Sequence, residues 1–148
     1  EQVLDLYCGL GNFTLPIARR GARVTGVEGD PGLVARARAN ALHEGLGEQV
    51  DYHVADLSQP VAEAGWSKQA YHKVLLDPPR AGADVLLQSL SLQGVQCLVY
   101  VSCHPGTLAR DAGILVRQHG FVLESAGVMD MFPHTNHVES MAVFKRPS

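Results

Sequence analysis

Segments that predict β-strands alternate with segments of helical periodicity along most of this chain, and this alternation limits the possible folds more than any single motif does. The predicted strands are residues 3–7, 24–28, 50–54, 73–76 and 97–102. The predicted helices are residues 13–20, 31–44, 82–92 and 108–118, and residues 57–67 predict a loop with room for one short helix. Strands joined by helices favour a mostly parallel sheet with helices on both faces.

Two further predicted strands, 121–129 and 138–144, close the chain. The connection between them, residues 130–137, is too short to hold a crossover helix, so we expect these strands to pair antiparallel. The sequence therefore predicts an α/β fold whose seven-stranded sheet is mostly parallel and ends in an antiparallel hairpin.

The composition is typical of a single globular domain. The chain has 148 residues, of which 46% are apolar and 18% charged, enough to form one domain with a substantial core. It has no apolar run that could cross a bilayer and no basic-then-apolar leader, so we expect a soluble, cytoplasmic protein without a membrane partner. A monomer is expected. Since the chain lacks an initiator Met and enters a strand at once, we also expect it to be one domain of a longer protein.

Charge and cysteine content argue against a non-specific nucleic-acid-binding protein, a disulfide-rich protein and a cysteine metal site. The formal net charge is −3, and no cluster of Lys and Arg suggests non-specific binding to a phosphate backbone. The three cysteines, Cys8, Cys97 and Cys103, are odd in number and irregularly spaced, which suits neither a disulfide framework nor a metal knuckle. A reducing compartment fits this pattern.

A glycine turn between the first predicted strand and helix is typical of nucleotide-binding βαβ units. Gly9 and Gly11 let the backbone approach a ligand, but Thr14 stands where a dinucleotide-binding turn has its third glycine. Glu28, at the tip of the second strand, is placed to accept hydrogen bonds from ribose hydroxyls. Asp56, after the third strand, has two interpretations: a contact with an adenine edge, or simple capping of its loop.

Cys103 directly follows the fifth predicted strand, just before Pro105 and the next helix. The partial positive charge of a helix N-terminus favours thiolate over thiol, and the thiolate is the nucleophile. Taken alone, a free cysteine is more often a buried apolar residue than a catalyst. The turn after the fourth strand, with its two prolines, is rigid and presents Asp77 and Arg80.

Together, four segments of this chain resemble the S-adenosylmethionine-dependent RNA uracil-C5 methyltransferases, and within them the branch that modifies 23S ribosomal RNA. The segments are LDLYCGLGNF at 4–13, DPPRAG at 77–82, VSCHP at 101–105 and FPHTNHVES at 132–140. The resemblance covers essentially the whole chain and implies a Rossmann-like class I methyltransferase domain. It also implies an upstream RNA-binding domain and an upstream iron–sulfur cluster, both outside this sequence.

The resemblance assigns roles residue by residue. The residues that it implies line the S-adenosylmethionine are Tyr7, Asn12, Glu28, Asp56 and Asp77, to which the glycine turn adds Gly9 and Gly11. Cys103 is the implied nucleophile and Glu139 the implied base, and we expect Arg80 and Phe132 on the substrate side. Two positions depart from the family pattern: many relatives have an amide in place of Asp56, and relatives vary between Pro and Ala at Pro79.

The chemistry of uracil agrees with these roles. C5 of uracil is a poor nucleophile, and addition of a thiolate at C6 converts the ring into an enolate that is a better one. The C5 proton must then leave, which requires a general base. The target carbon is reached only in a single-stranded or flipped uridine. Asp77 and Arg80 are both candidates to orient the base or its phosphate, and Phe132 either stacks on the uracil or packs beneath its loop.

Several rival functions remain for comparison. Thr14 argues against a nicotinamide dehydrogenase, and Arg80 stands where methyltransferases of exocyclic amines have an aromatic residue. An RNA cytosine-C5 methyltransferase also uses a cysteine, but its turn normally carries a Pro-Cys pair. A module with a methyltransferase fold that binds RNA without catalysis is a further alternative. A metal site of Cys103 with His134 and His137 lacks a second spaced pair of ligands, so we expect no metal.

Overall fold

The computed structural model describes residues 1–129 and 139–147. Within these residues the strands are β1 (Gln2–Leu6), β2 (Arg23–Glu28), β3 (Val50–Val54), β4 (Lys73–Leu76), β5 (Cys97–Ser102), β6 (Val122–Met129) and β7 (Glu139–Lys145). The α-helices are α1 (Thr14–Arg19), α2 (Pro31–His43), α3 (Asp84–Ser89) and α4 (Pro105–Arg117), and a short 3-10 helix spans Gly65–Lys68.

All seven strands form one sheet in the order β3-β2-β1-β4-β5-β7-β6. The first five strands in this order run parallel, and β7 pairs antiparallel with both β5 and β6. This topology confirms the predicted α/β fold with its closing hairpin. The chain order reverses between β1 and β4, and open α/β sheets bind ligands at such a point, outside the carboxyl ends of the strands. We call the side of the sheet at which β1, β2, β4 and β5 end the carboxyl edge.

Two helices begin at a proline that is preceded by a capping side chain. Asp30 Oδ1 accepts hydrogen bonds from the backbone N–H of Gly32 and Leu33, and α2 begins at residue 31, where the predicted helix begins. The predicted start of α4 at residue 108 was wrong by one turn, because Pro105 occupies the first helical position and His104 Nδ1 accepts from the N–H of Thr107. The early start brings the helix N-terminus close to Cys103.

Two predicted elements differ from the structure because of residues with positive φ. The helix predicted at 82–92 is confined to Asp84–Ser89, since Gly82 has a φ of 81° and cannot belong to it. Tyr7, predicted as the end of the first strand, lies outside β1 with a φ of 61°. A non-glycine residue in this conformation is uncommon and marks the turn that follows β1 as locally constrained.

The core lies mainly between the sheet and helices α3 and α4. Leu4 and Leu76 of the sheet and Leu86 of α3 are completely buried there. Each fully buried leucine stabilises the fold by roughly 2 kcal/mol, so this layer fixes the strand ends that carry polar residues. In the described part of the chain, no helix combines the length and apolar character that crossing a membrane requires.

Candidate functional site

Four parallel strands deliver chemically active side chains to the carboxyl edge. The glycine turn follows β1, Glu28 ends β2, Asp77 follows β4 and Cys103 follows β5. Because β7 runs antiparallel, its first residue, Glu139, lies at the same edge. The topology thus gathers the nucleophile and the base predicted from the sequence with most of the predicted methyl-donor residues.

The glycine turn is fixed to the tip of β2 by Glu28. Its Oε1 accepts from the N–H of Gly9 at 3.3 Å, and its Oε2 accepts from the N–H of Asp30 at 2.9 Å. A side chain on Gly9 would meet no atom within 4 Å, whereas a Cβ on Gly11 would lie 2.7 Å from the Tyr52 hydroxyl. The turn is therefore open at Gly9, where a ligand has space, and packed against the domain at Gly11. The Glu28 carboxylate lies beside the open position.

A buried carboxylate beneath this turn was missed by sequence analysis. Asp5 is 1% exposed, and its Oδ2 accepts from Thr14 Oγ1 at 2.6 Å. Its Oδ1 has no hydrogen-bond partner among the described residues. Burial, opposed by the Thr14 hydrogen bond and aided by the charge of Asp77, raises the pKa of Asp5 to about 7. The only sequence signal was an acid within the apolar strand 3–7.

Asp56 follows β3, the edge strand next to β2. Its Oδ1 accepts from both the N–H and the hydroxyl of Ser58, at 3.0 and 2.6 Å, so the side chain caps its own loop as one of the two interpretations expected. These hydrogen bonds hold the pKa of Asp56 below its usual value. The side chain is exposed, and a contact with adenine stays a prediction.

Asp77 and Glu139 interact electrostatically at the centre of the carboxyl edge. Asp77 is partly buried after β4, and Glu139 is partly buried at the start of β7. Burial, with a second contribution from the nearby charge of Glu139, raises the pKa of Asp77 to about 6. The negative charge of two carboxylates so placed favours a cationic ligand beside them.

Cys103 is exposed at the carboxyl edge, and its side chain does not belong to the apolar core. The two residues that flank it hold its backbone: the N–H of His104 donates to Ser102 Oγ at 2.9 Å, and the Ser102 hydroxyl donates to the carbonyl oxygen of His104 at 2.9 Å. The helix α4 begins two residues later. Cys103 is therefore an exposed residue on a backbone that is fixed on both sides.

The register of β5 and β7 brings Cys103 and Glu139 together. Ser102 pairs with Ser140 as the last pair of this antiparallel ladder. One residue beyond this pair, Cys103 follows β5 and Glu139 begins β7, so continuing the register by one residue sets them opposite each other. Residues directly opposite in an antiparallel pair share a face of the sheet and approach within about 5.5 Å between Cα atoms. Although 36 residues apart in sequence, the two therefore lie at the same end of this ladder.

The remaining predicted residues lie around this centre. Asn12 and Arg80 are exposed, and Tyr7 is partly buried, with burial and the charge of Asp111 raising its pKa. Phe132, with His134 and His137 of the alternative metal site, lies outside the described residues. Among the residues that are described, no group of three His, Cys, Asp or Glu side chains is placed to hold a metal ion.

Comparison with known families divides the chain into two matched regions. Residues 61–147 match the sequence profile of the tRNA (uracil-5-)-methyltransferase family. Residues 3–75 match a general methyltransferase domain profile. The match over residues 61–147 contains Asp77, Cys103 and Glu139, and the match over residues 3–75 contains the glycine turn and Glu28.

Individual relatives agree with the profiles. The chain is 61% identical over 146 residues to the 23S rRNA (uracil(1939)-C(5))-methyltransferase RlmD of Xanthomonas axonopodis pv. citri, and 61% identical to the RlmD of Stenotrophomonas maltophilia. Each alignment covers 99% of this chain and 33% of the relative, so the chain spans about a third of the length of the curated relatives it matches.

A solved structure shows the same likeness in three dimensions. The tRNA (uracil-54, C5)-methyltransferase of Pyrococcus abyssi, solved in complex with S-adenosyl-L-homocysteine, superposes with a TM-score of 0.81 at 34% identity, covering 97% of this chain and 34% of that one. Magnesium protoporphyrin IX methyltransferase of Synechocystis, at 20% identity and a TM-score of 0.74, shares the fold. On the match over residues 61–147, this chain belongs to the tRNA (uracil-5-)-methyltransferase family.

Proposed function

We propose that this chain catalyses transfer of a methyl group from S-adenosylmethionine to C5 of a uridine in RNA, and that the RNA is 23S ribosomal RNA. The observation that carries the proposal is the register of β5 and β7, which makes the exposed Cys103 and Glu139 neighbours beside Asp77. Family membership and the names of the RlmD relatives support the choice of uracil and of ribosomal RNA.

The residues at the carboxyl edge fit S-adenosylmethionine as the methyl donor. The open side of Gly9 gives space for a ligand, and the Glu28 carboxylate beside it suits the hydroxyls of a ribose. Asp77 and Glu139 place negative charge where a donor with a sulfonium and an ammonium group would lie. The Pyrococcus abyssi relative was solved with the demethylated product of this donor. When bound, the donor supplies an electrophilic methyl group.

In the proposed mechanism the Cys103 thiolate adds to C6 of the uracil. The new Sγ–C6 bond forms as the electrons of the C5–C6 double bond move onto the O4 carbonyl, giving an enolate. C5 of this enolate then takes the methyl group, and the electrons of the broken sulfur–methyl bond remain on the donor as a neutral thioether. The exposure of Cys103 allows a flipped uridine to reach it without rearrangement of the core.

Glu139 completes the cycle as the general base. C5 now bears both the new methyl group and its original hydrogen, and the Glu139 carboxylate removes that hydrogen as a proton. The electrons left on C5 restore the C5–C6 double bond and expel the Cys103 thiolate. Asp77, next to Glu139, and the exposed Arg80 are proposed to orient the donor and the RNA, respectively.

We also propose that residues 1–148 form the catalytic domain of a longer protein, since the chain spans about a third of its RlmD relatives. In this proposal, the RNA-binding and iron–sulfur regions belong to the remaining length. An enzyme that modifies ribosomal RNA would work in the cytoplasm. The monomeric state stays a prediction.

The test is methyl transfer by the natural protein that carries this chain, with nucleoside analysis by mass spectrometry. Unmodified 23S ribosomal RNA and S-adenosylmethionine should yield 5-methyluridine. Formation of 5-methylcytidine instead would favour the rival cytosine-C5 activity. RNA binding without any methylated nucleoside would support the non-catalytic alternative and contradict the proposal.

A further inference from the structure

A buried hydrogen-bond network on α4 joins the two turns that carry Arg80 and Cys103. Its centre is Asp111, which sequence analysis did not single out. We propose that Asp111 is a positioning residue that fixes the turn at 77–82 relative to the nucleophile Cys103. This inference rests on the proposed function and adds to it a residue that touches neither the donor nor the RNA.

The carboxylate of Asp111 is completely buried and fully engaged. Its Oδ2 accepts from the N–H of Ala83 at 2.8 Å and from the hydroxyl of Tyr100 at 2.5 Å. Its Oδ1 accepts from Arg110 Nε at 3.2 Å. A buried carboxylate is costly unless it is paired and hydrogen-bonded, and these three donors supply the compensation. Loss of the charge would therefore change all three contacts together.

Arg110 extends the network into the turn itself. Its Nη2 donates to the carbonyl oxygen of Ala81 at 2.7 Å and lies 3.5 Å from a carboxylate oxygen of Asp84. The backbone at Gly82 passes so close that a Cβ there would lie 2.5 Å from Arg110 Nη2 and 2.7 Å from Asp111 Oδ2. Ala81 and Ala83, on either side of Gly82, are thus hydrogen-bonded to two adjacent side chains of α4.

The same carboxylate reaches the strand that leads to the nucleophile. Tyr100 precedes Cys103 by three residues on β5, and α4 begins two residues after Cys103. Asp111 therefore links the segment before Cys103, the helix after it and the turn that presents Arg80. A shift of about 1 Å in such a spacing can lower a rate by about 10²-fold. The glycine turn and Glu28, which are proposed to bind the donor, make no hydrogen bond to this network among the described residues.

The test compares Asp111→Asn with Asp84→Asn in the natural protein that carries this chain. The first variant keeps the size of the buried side chain, while its amide cannot accept from every donor that the carboxylate serves. The second removes a carboxylate from the same Arg110 but leaves the bonds to Ala83 and Tyr100. Two quantities are measured: affinity for S-adenosyl-L-homocysteine, and the single-turnover rate of methyl transfer per molecule that binds it.

We expect Asp111→Asn to lower that single-turnover rate by about tenfold or more while the affinity changes by less than about threefold, and Asp84→Asn to change neither by more than about threefold. A merely structural role would reduce the number of binding-competent molecules and leave the rate per molecule unchanged. An unchanged rate per molecule would overturn the inference. Equal losses in both variants would do the same.

If Asp111→Asn fails to fold, Tyr100→Phe tests the inference instead. This variant removes the hydroxyl that donates to Asp111 and keeps the aromatic ring. A rate per binding molecule lowered by about threefold or more supports the inference, and a wild-type rate contradicts it. If the wild-type protein methylates no uridine, the proposed function has failed. If wild type is active and the variants equal it, only the role of Asp111 has failed.

Discussion

The two halves of the carboxyl edge are built differently. On the side of β1 and β2, the one carboxylate at the tip, Glu28, has both oxygens bonded to backbone N–H groups of the adjacent turns. On the side of β4 and β5, Arg80 and Cys103 are exposed, and they are held from below by Asp111 and by the Ser102 and His104 backbone contacts. The first half is fixed by its own hydrogen bonds, which suits the donor that we propose binds there, and the second exposes the side chains that we propose act on the RNA.

Among variants that test the difference between the two halves, Cys103→Ala should have the largest effect. We expect methyl transfer to fall by about 10³-fold or more, because the variant cannot add to C6. Affinity for S-adenosyl-L-homocysteine should be unchanged, because the donor half is untouched. Radiolabel transfer and calorimetry measure the two effects.

Cys97→Ala is the matched control for this variant. Cys97 lies at the opposite end of the same strand β5 and is partly buried. We expect its activity to stay within about threefold of wild type. Substantial activity in Cys103→Ala would exclude the covalent mechanism.

Glu28→Gln should affect the other half alone. The amide can accept with one oxygen only, so one of the two backbone contacts is lost together with the charge. We expect affinity for the donor to fall by about tenfold, while transfer at saturating donor changes little. The control is Glu48→Gln, an exposed glutamate on the loop before β3. A selective loss of rate at saturation would show that the two halves are not separable in this way.

Asp77→Asn should have a smaller effect, on how the free energy of unfolding depends on pH. Burial and the charge of Glu139 raise the pKa of Asp77 to about 6. Between about pH 4 and pH 6 the folded chain therefore holds a proton on Asp77 that the unfolded chain has released. The stabilisation is complete below about pH 4 and is lost as the pH rises through about 6. Asp77→Asn imitates the protonated form and should unfold with a free energy higher by about 1 kcal/mol than wild type at about pH 8, with no gain at about pH 4.

Asp56→Asn provides the control of opposite sign. The Ser58 hydrogen bonds lower the pKa of Asp56, so its contribution is present above the ordinary aspartate pKa and is lost as the pH falls. This variant should gain no stability at alkaline pH in denaturant titrations. A gain in Asp56→Asn, or none in Asp77→Asn at about pH 8, would contradict the assigned environments.

The sequence predicted the parts of this structure that depend on local pattern. Strand alternation and the short connection at 130–137 predicted the sheet and its hairpin, and the proline after Cys103 correctly marked a strand end. Asp111 could not be predicted in the same way, because its partner Ala83 lies 28 residues away and the bond exists only once the helices pack. Asp5 was hidden within an apolar strand. The helix at 82–92 was overpredicted, since neither the positive φ of Gly82 nor its close approach to Arg110 is visible in the local sequence pattern.

The most direct test of the account is mass mapping of the covalent RNA adduct in Glu139→Gln. With the base removed, methylated uracil should remain bound, and the denatured protein should carry RNA on the peptide that contains Cys103. The adduct should include the transferred methyl group, and Cys103→Ala should form none. Absence of any adduct in Glu139→Gln, or attachment at Cys8 or Cys97, would contradict the pairing of Cys103 with Glu139 on one uracil ring.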